Sequence, residues 1–217
     1  MADTKLTYFA GKGRGEHIRM ILHHTGVVFE DDKLSFEEWP IRKAEDPDYF
    51  EFGQMPILVI DGHKLSQSDA IFRYVAQTRG LYPVGDHEAI YQSESLMDGV
   101  NDVQASFYKY FFSPAGEGKD AAQAAFIKNI ELFLSIVEKR LTANKKSKLH
   151  IAGNKLIYGD IKVLNFVWCH AFDELSATKS YIAPILDKFP LTKSYAAHHI
   201  EKTFKDYVAS KRTQAPF

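Results

Sequence analysis

The first residues that could do chemistry surround a glycine-rich stretch near the N-terminus. Residues 11–15 read G-K-G-R-G, with Tyr8 shortly before them and Glu16 directly after them. A glycine turn that opens a helix often cradles a phosphate, because free backbone N–H groups and the helix dipole attract an anion. The third glycine of the dinucleotide fingerprint would fall at position 16, where a carboxylate repels phosphate. The sequence therefore disfavours a nucleotide, while a plain tight turn leaves Tyr8 and Arg14 unexplained.

A second group of candidate residues lies between positions 55 and 68. Met55-Pro56 comes directly before the apolar run Ile57–Ile60. Proline is tolerated at the first position of a strand because it has no N–H to give to the sheet, and the backbone of Met55 can then pair with a ligand. Gln67 and Ser68 stand where the next helix begins, so Ser68 is expected to cap it. That helix start also suits a carboxylate, and both interpretations stay open from this segment alone.

Residues 5–79 combine runs of strand length with amphipathic helical patterns. Strands are expected at Lys5–Phe9, at Ile57–Ile60 and, after an Asp61-Gly62 hairpin turn, at His63–Leu65. Val27–Phe29 is a further short apolar run.

Two helices are predicted between these strands and after them. The first ends at Gly26 and has one apolar face, formed by Ile18, Ile21, Leu22 and Thr25. The second begins at Ser68 and has a face formed by Ala70, Ile71, Tyr74, Val75 and Thr78. The order of elements is typical of a small α/β domain with a βαβ start and a ββα end.

Strand patterns disappear after residues 81–87, a stretch with proline and glycine that is typical of a linker. Apolar residues then recur at helical spacing, as in Leu96, Val100, Val103 and Phe107. The segment from Ile161 to Phe172 is apolar on all sides, which is typical of a helix in the centre of a bundle. Shorter helical patterns follow near 181–186 and 195–208. We therefore predict an α/β domain at 1–80, a linker at 81–87 and an all-helical domain at 88–217.

Composition and charge limit the binding partners and the cellular compartment expected for this chain. The 217 residues carry a net charge of −1, so no long-range attraction to nucleic acid or to an anionic membrane is expected. No apolar run is long enough for a membrane span, and the N-terminus does not read as a signal peptide. A single cysteine, Cys169, excludes an internal disulfide and fits a reducing compartment. The expected localisation is cytoplasmic.

Several other residues have ordinary structural interpretations. We expect His23-His24 and His198-His199 to lie at the surface, because neither pair has companion ligands at metal spacing, and no metal site is predicted. Cys169, within the apolar central segment, is expected to be a buried inert thiol. At the start of that helix Asp160 can reach back to the backbone N–H of Ile157, whose own side chain has no oxygen to complete a capping box.

The chain as a whole resembles a cytosolic glutathione transferase. The resemblance rests on motifs that occur in order at compatible spacings: Tyr8-Phe9 before the glycine turn, Arg14 within it, Trp39-Pro40 with Lys43, Met55-Pro56, and Gln67-Ser68. The patterns K-L-T-Y-F, G-R-G-E-x-I-R and W-P-x-x-K most resemble the sigma class, which includes prostaglandin D synthases and lens S-crystallins. The implied fold is an α/β thioredoxin-like N-terminal domain followed by an all-α C-terminal domain.

The resemblance also implies a set of glutathione contacts. Tyr8, the implied catalytic residue, would donate its hydroxyl to the glutathione sulfur, with Arg14 near the thiol. Met55, beside a cis Pro56, would pair its backbone with the cysteinyl part. Gln67 and Ser68 would hold the γ-glutamyl carboxylate. The remaining implied glutathione contacts are Trp39, Lys43 and Gln54 at the glycyl end and Asp102, which would reach the glutamyl amine bound by the other subunit of a homodimer.

The second substrate is expected to be a small hydrophobic electrophile. Its candidate pocket residues are Phe9, Arg14, Gln104 and Tyr108, with residues 213–217 as a further candidate. The expected activity is conjugation of the glutathione thiolate to such electrophiles, with glutathione as co-substrate. One alternative is a glutathione-dependent isomerase of the prostaglandin D synthase type, which would use the same thiolate. Another is a non-catalytic structural or binding protein on the same scaffold, which has no need of a hydroxyl donor at Tyr8.

Overall fold

The computed structural model describes residues 3–210. Its contacts divide the chain into two compact units. One consists of the described residues up to Tyr82 together with those from Phe204 onward, and the other runs from Pro83 to Thr203. Residues 213–217, a candidate part of the second-substrate pocket, lie outside the described residues.

The first unit is built on a four-stranded sheet of order β2-β1-β3-β4. The strands are β1 (Lys5–Phe9), β2 (Glu30–Leu34), β3 (Ile57–Ile60) and β4 (His63–Ser66). β1 runs parallel to β2 and antiparallel to β3, and β3 and β4 form an antiparallel hairpin. The strands predicted at 5–9, 57–60 and 63–65 are confirmed, and Tyr8 lies next to the end of the central strand β1.

The second strand does not lie on the apolar run Val27–Phe29. That run precedes β2, and pairing begins where Glu30 meets Lys5. β2 is an edge strand with the sequence E-D-D-K-L, and its acidic side chains are used for ion pairs: Asp32 lies 3.2 Å from the Lys5 ammonium and Asp31 lies 3.0 Å from the Arg19 guanidinium. Apolar content therefore fails to locate an edge strand whose side chains mostly form ion pairs.

Three helices accompany this sheet: α1 (Glu16–His24), α2 (Glu38–Glu45) and α3 (Ser68–Thr78). α1 ends before Gly26, which has a positive φ of 70°, as predicted. The buried residues of α3 are Ile71, Phe72, Val75 and Ala76. The predicted face was therefore wrong in part, since Ala70 and Thr78 are exposed whereas Phe72 and Ala76 are buried. α3 packs against α1 and the β3–β4 hairpin. α2 was not predicted, since it buries none of its residues.

The second unit is helical. Its helices are α4 (His87–Phe112), α5 (Glu117–Ala143), α6 (Tyr158–Val167), α7 (Lys179–Leu186) and α8 (Pro190–His198). All ten residues of α6 are buried, which confirms the central helix predicted from its apolar circumference. A π-helical turn, Trp168–Phe172, continues it and contains the buried Cys169. A second π-helical turn, His199–Thr203, follows α8, and the short α9 (Lys205–Ala209) belongs to the first unit.

A buried carboxylate fixes the start of α6. Asp160 accepts the backbone N–H of Ile157 at 3.1 Å, as predicted, and also that of Ile151 at 2.8 Å. The hydroxyl of Tyr195 donates to the same carboxylate at 3.0 Å. Burial raises the pKa of Asp160 to about 7, against the opposing effect of these hydrogen bonds. The aliphatic side chain of Ile157 can accept no hydrogen bond, so the side-chain cap at this helix start comes from Asp160.

One of the histidines expected at the surface is buried. His199 is only 3% exposed, whereas its neighbour His198 is exposed. The ring of His199 makes hydrogen bonds to the Thr203 hydroxyl at 2.9 Å and to the Leu149 carbonyl at 2.7 Å. Each ring nitrogen therefore has a hydrogen-bond partner inside the helical unit, and His199 is part of the buried interior of that unit.

Across residues 3–210, the structure has no helix with the length and apolar character needed to cross a membrane.

Candidate functional site

The ring of Tyr8 lies directly against the glycine turn that follows it. Tyr8 is only 8% exposed. A Cβ atom added at Gly13 would come within 2.6 Å of the Tyr8 hydroxyl oxygen, and one added at Gly15 within 2.4 Å of the ring carbon Cδ1. Real Cβ atoms essentially never approach so closely. Gly13 and Gly15 therefore leave room for the ring of Tyr8, which explains why glycine occupies these two positions.

The hydroxyl of Tyr8 is oriented by the turn. The backbone N–H of Arg14 donates to the Tyr8 oxygen at 2.9 Å. Because the oxygen accepts this bond, the hydroxyl proton is the group that Tyr8 can offer to a ligand. Burial raises the pKa of Tyr8, opposed by the Arg14 N–H bond and by the charges of Arg19 and Arg14. The phenol therefore stays protonated at neutral pH and keeps its role as a donor.

A buried guanidinium holds the glycine turn that follows Tyr8. Arg19 is 1% exposed and donates from Nη2 to the Phe9 carbonyl at 3.0 Å and from Nη1 to the Gly11 carbonyl at 2.9 Å. It also pairs with Glu16 at 3.1 Å and with Asp31 at 3.0 Å. Glu16 is fully buried, so it balances Arg19 and does not line an anion site. Sequence reasoning missed this role of Arg19, although the i, i+3 spacing of Glu16 and Arg19 was a usable signal.

A small pocket beside this loop brings together many of the predicted binding residues. Its lining comprises Arg14, Phe52, Gln54, Met55, Pro56, Ser66, Gln67 and Ser68. The Met55–Pro56 peptide bond is cis. The pocket thus joins the glycine turn, the start of β3 and the start of α3, which lie far apart in the sequence.

The start of α3 differs from the sequence-based expectation. Ser68 was expected to cap the helix, but α3 begins at Ser68 itself, Gln67 occupies the cap position, and that cap makes no side-chain hydrogen bond. Gln67 has a positive φ of 69°, a conformation that is uncommon for non-glycine residues and tends to occur at ligand sites. Because Ser68 is the first helical residue, its backbone N–H is one of the donors that the helix leaves unpaired and can offer to an anion.

Trp39 and Lys43 on α2 lie close to the same region. The Lys43 ammonium is 5.6 Å from the Trp39 ring centroid. A Cβ at Gly53, the residue before Gln54, would lie 3.0 Å from that ammonium. The Trp39 ring packs edge-on against Phe50 at 4.9 Å and lies 6.2 Å from Phe9. α2 therefore brings a cation and an indole next to the segment that carries Gln54.

The remaining predicted residues lie on both units. Phe9 is half-buried and packs against Phe36 with ring centroids 4.7 Å apart. Asp102 is exposed on α4, whereas Gln104 and Tyr108 on the same helix are half-buried. A pocket shared by Phe9, Gln104 and Tyr108 stays a prediction. Within residues 3–210 the structure contains no group of three or more histidine, cysteine, aspartate or glutamate side chains that could hold a metal ion.

Comparison with known proteins agrees with this geometry. The family model "Glutathione S-transferase, N-terminal domain" matches residues 4–77, and "Glutathione S-transferase, C-terminal domain" matches residues 101–211. Glutathione S-transferase 1 of Ascaris suum is 33% identical over 226 residues and covers 100% of both chains.

Solved structures give the same result. Prostaglandin synthase D of Nilaparvata lugens superposes with a TM-score of 0.78 at 26% identity, covering 96% of this chain and 98% of that chain. A monomeric glutathione S-transferase from the hookworm Necator americanus gives a TM-score of 0.76 at 28% identity, covering 96% and 97% of the two chains. The fold and the two family models agree on one class of protein, in which a thioredoxin-like domain is followed by a helical domain. The chain belongs to the glutathione S-transferase family and is an enzyme that conjugates glutathione.

Proposed function

We propose that Tyr8 is the catalytic residue of this transferase and that its hydroxyl donates a hydrogen bond to the sulfur of bound glutathione. The observation that carries the proposal is the environment of the Tyr8 oxygen, which accepts the Arg14 N–H and leaves the hydroxyl proton for a ligand. The buried phenol stays neutral, so it stabilises a thiolate by donating to it and does not need to remove the proton itself. The reactive species is the thiolate.

One hydrogen bond of this kind is about sufficient for the task. An ordinary thiol has a pKa of about 8.5, and lowering it by two units requires about 2.7 kcal/mol. A hydrogen bond to a charged acceptor contributes roughly 1.5–3 kcal/mol. The start of α1 and the Arg14 side chain add smaller favourable contributions, of the order of 0.3–1 kcal/mol for a helix N-terminus. No general base is required.

The pocket beside Tyr8 supports a placement for the rest of glutathione. The backbone of Met55 pairs with the cysteinyl part, and Gln67 with Ser68 and the free N–H groups of α3 hold the γ-glutamyl carboxylate. Trp39, Lys43 and Gln54 surround the glycyl end, where the Lys43 ammonium balances the glycyl carboxylate. This assignment is supported by the shared lining of the pocket and by the position of Lys43 beside Gly53.

The proposed second substrates are small hydrophobic electrophiles in a sigma-like enzyme. Phe9, Arg14, Gln104 and Tyr108 would line their pocket. A glutathione-dependent isomerase is the second candidate function, favoured by the likeness to the prostaglandin synthase of Nilaparvata lugens. A cytoplasmic role in detoxification fits the proposed substrates. We further propose a homodimer in which Asp102 reaches the glutamyl amine bound by the other subunit, although one similar structure is monomeric.

The test is the pH dependence of turnover with glutathione and a chloronitrobenzene acceptor, in wild type and in Tyr8→Phe. The wild type should show an apparent pKa well below that of free glutathione. Tyr8→Phe should raise that pKa and lower turnover by roughly 10–100-fold, since about 1.4 kcal/mol is one decade in rate, with glutathione affinity retained.

Tyr74→Phe is the matched control, because Tyr74 is a half-buried tyrosine on α3 whose ring packs against His63. It should leave the profile unchanged. An unchanged profile in Tyr8→Phe would exclude the role given to Tyr8. Binding of glutathione without turnover in the wild type would favour the isomerase or the structural alternative.

A further inference from the structure

A buried hydrogen bond connects α9, the last helix within residues 3–210, to the helix that follows the glycine turn. The hydroxyl of Tyr207 donates to Oε1 of Glu16 at 2.7 Å, across 191 residues of sequence. Tyr207 is 1% exposed and Glu16 is fully buried. The transferase mechanism proposed above does not use this contact.

Glu16 connects Tyr207 to the glycine turn that follows Tyr8. Its second oxygen, Oε2, accepts a hydrogen bond from Nη1 of Arg19 at 3.1 Å. The same guanidinium donates to the carbonyls of Phe9 and Gly11, on the two sides of the turn that begins just after Tyr8. The Arg19 carbon Cζ also lies 5.8 Å from the centroid of the Tyr8 ring. A shift of Arg19 would therefore move the loop and the ring together.

The Glu16 carboxylate depends on its donors. Burial raises the pKa of Glu16, and the charge of Arg19 and the Tyr207 bond are the first opposing influences, with Lys12 contributing further. A buried carboxylate that loses a donor either rotates toward another donor or binds a proton. In both cases its bond to Arg19 weakens. Nε of Arg19 still binds the Asp31 carboxylate, at 3.0 and 3.2 Å, so the guanidinium is expected to pivot about that contact and to loosen the bonds from its Nη atoms to the two carbonyls.

We propose that Tyr207 is a positioning residue for Tyr8, acting through Glu16 and Arg19 to hold the glycine turn where the Tyr8 hydroxyl meets the glutathione sulfur. The proposal rests on the function proposed for Tyr8. It assigns a role to the hydroxyl of Tyr207 that is separate from the packing of its ring, which lies edge-on to His23 at 5.2 Å.

The test is Tyr207→Phe, which keeps the ring and removes only the donor. The thiol pKa of bound glutathione, read from thiolate absorbance in the binary complex, should rise by about 0.5–1 unit, with turnover near neutral pH falling about three- to tenfold. The KM for glutathione should stay within about twofold, because the pocket formed by Met55, Gln67 and Ser68 is not changed.

Tyr195→Phe is the matched control. Tyr195 is also fully buried and also donates to a buried carboxylate, that of Asp160, at 3.0 Å, but it lies in the helical unit. It should lower thermal stability without changing the thiol pKa. If Tyr207→Phe does the same as this control, Tyr207 is structural and the proposal is wrong.

A double variant separates this inference from the function on which it rests. In a Tyr8→Phe background, Tyr207→Phe should produce no further rise of the thiol pKa, because its effect passes through Tyr8. If Tyr8→Phe alone fails to change the thiol pKa, the proposed function is wrong. If Tyr8→Phe changes it and Tyr207→Phe does not, only the positioning role is overturned. A full additional shift in the double variant would also overturn it.

Glu16→Gln is the alternative test variant if Tyr207→Phe does not fold. The amide has the size of the carboxylate but no charge to hold Arg19, so the same rise of the thiol pKa is expected. An unchanged thiol pKa in a folded Glu16→Gln protein would exclude the path through Glu16.

Discussion

At the scale of single residues, the glycine turn is explained by the tyrosine beside it. Tyr8, Arg14 and the glycines could all be selected from the sequence as unusual, because types and spacing are visible there. The sequence could not show why glycine is required, because the reason is the close approach of the Tyr8 ring to Gly13 and Gly15. Glu16 was interpreted from the sequence as an obstacle to phosphate, and the structure shows instead a buried partner of Arg19 and Tyr207.

Gly15→Ala tests this close approach. Gly15 has φ −86° and ψ −26°, which alanine adopts without strain, so the only penalty is the 2.4 Å contact between the new Cβ and Tyr8 Cδ1. The ring must shift, and a displacement of about 1 Å can cost roughly 100-fold in rate. We expect kcat/KM to fall by at least about tenfold, with α1 still folded by circular dichroism.

Gly118→Ala in the first turn of α5 is the control for that substitution. A Cβ there meets nothing within 4 Å, so activity should be unchanged. Equal activities of the two alanine variants would contradict the steric explanation of the turn.

At the scale of elements, helices and strands that bury an apolar face could be predicted from the sequence, whereas α2 and β2 could not. The central helix α6 was predicted because its residues are apolar on every side, and all of them are buried. α2 buries none of its residues. β2 pairs with β1 through its backbone, and its acidic side chains form ion pairs, so hydrophobic patterns could not locate either element. The bond from Asp160 to Ile157 was predicted because it is local, whereas the partners Ile151 and Tyr195 required the tertiary structure.

Asp160, at the start of α6, makes the free energy of unfolding depend on pH. Its pKa rises from 3.8 to about 7 on folding, chiefly through burial. Between these values the folded state binds the proton that the unfolded state has released, so the free energy of unfolding falls as pH rises through this window. The upper limit of this loss is about 4 kcal/mol.

Urea unfolding of wild type and Asp160→Asn at about pH 5 and about pH 8 measures this effect. Asparagine does not titrate, so the wild type should lose stability relative to the variant at the higher pH. A stability difference that is the same at both pH values would mean that the carboxylate stays ionised in the folded protein.

At the scale of the whole molecule, the order of an α/β domain and a helical domain followed from the sequence, because strand and helix periodicities separate cleanly along the chain. The contact from Tyr207 to Glu16 could not be predicted, since no local pattern connects residues 191 positions apart. The proposed homodimer is inferred from the family resemblance, which also gives Asp102, exposed on α4, its role.

Asp102→Asn tests that role. If the carboxylate holds the glutamyl amine across a dimer, its loss should raise the KM for glutathione by roughly tenfold, the effect of losing a charge-assisted hydrogen bond. Asp98→Asn, one turn earlier on α4 and also exposed, should have no effect. Sedimentation at the assay concentration should show a dimer, and a monomer with full glutathione affinity would contradict the proposal.

The most direct test of the central claim is the thiol pKa of glutathione bound to the wild type and to Tyr8→Phe, measured from thiolate absorbance without any acceptor. In the wild type, the bound thiol should be about two units more acidic than an ordinary thiol. Most of this shift should be lost in Tyr8→Phe, with glutathione still bound. An equally acidic thiol in both proteins would show that another group stabilises the thiolate and that the hydroxyl of Tyr8 is not its donor.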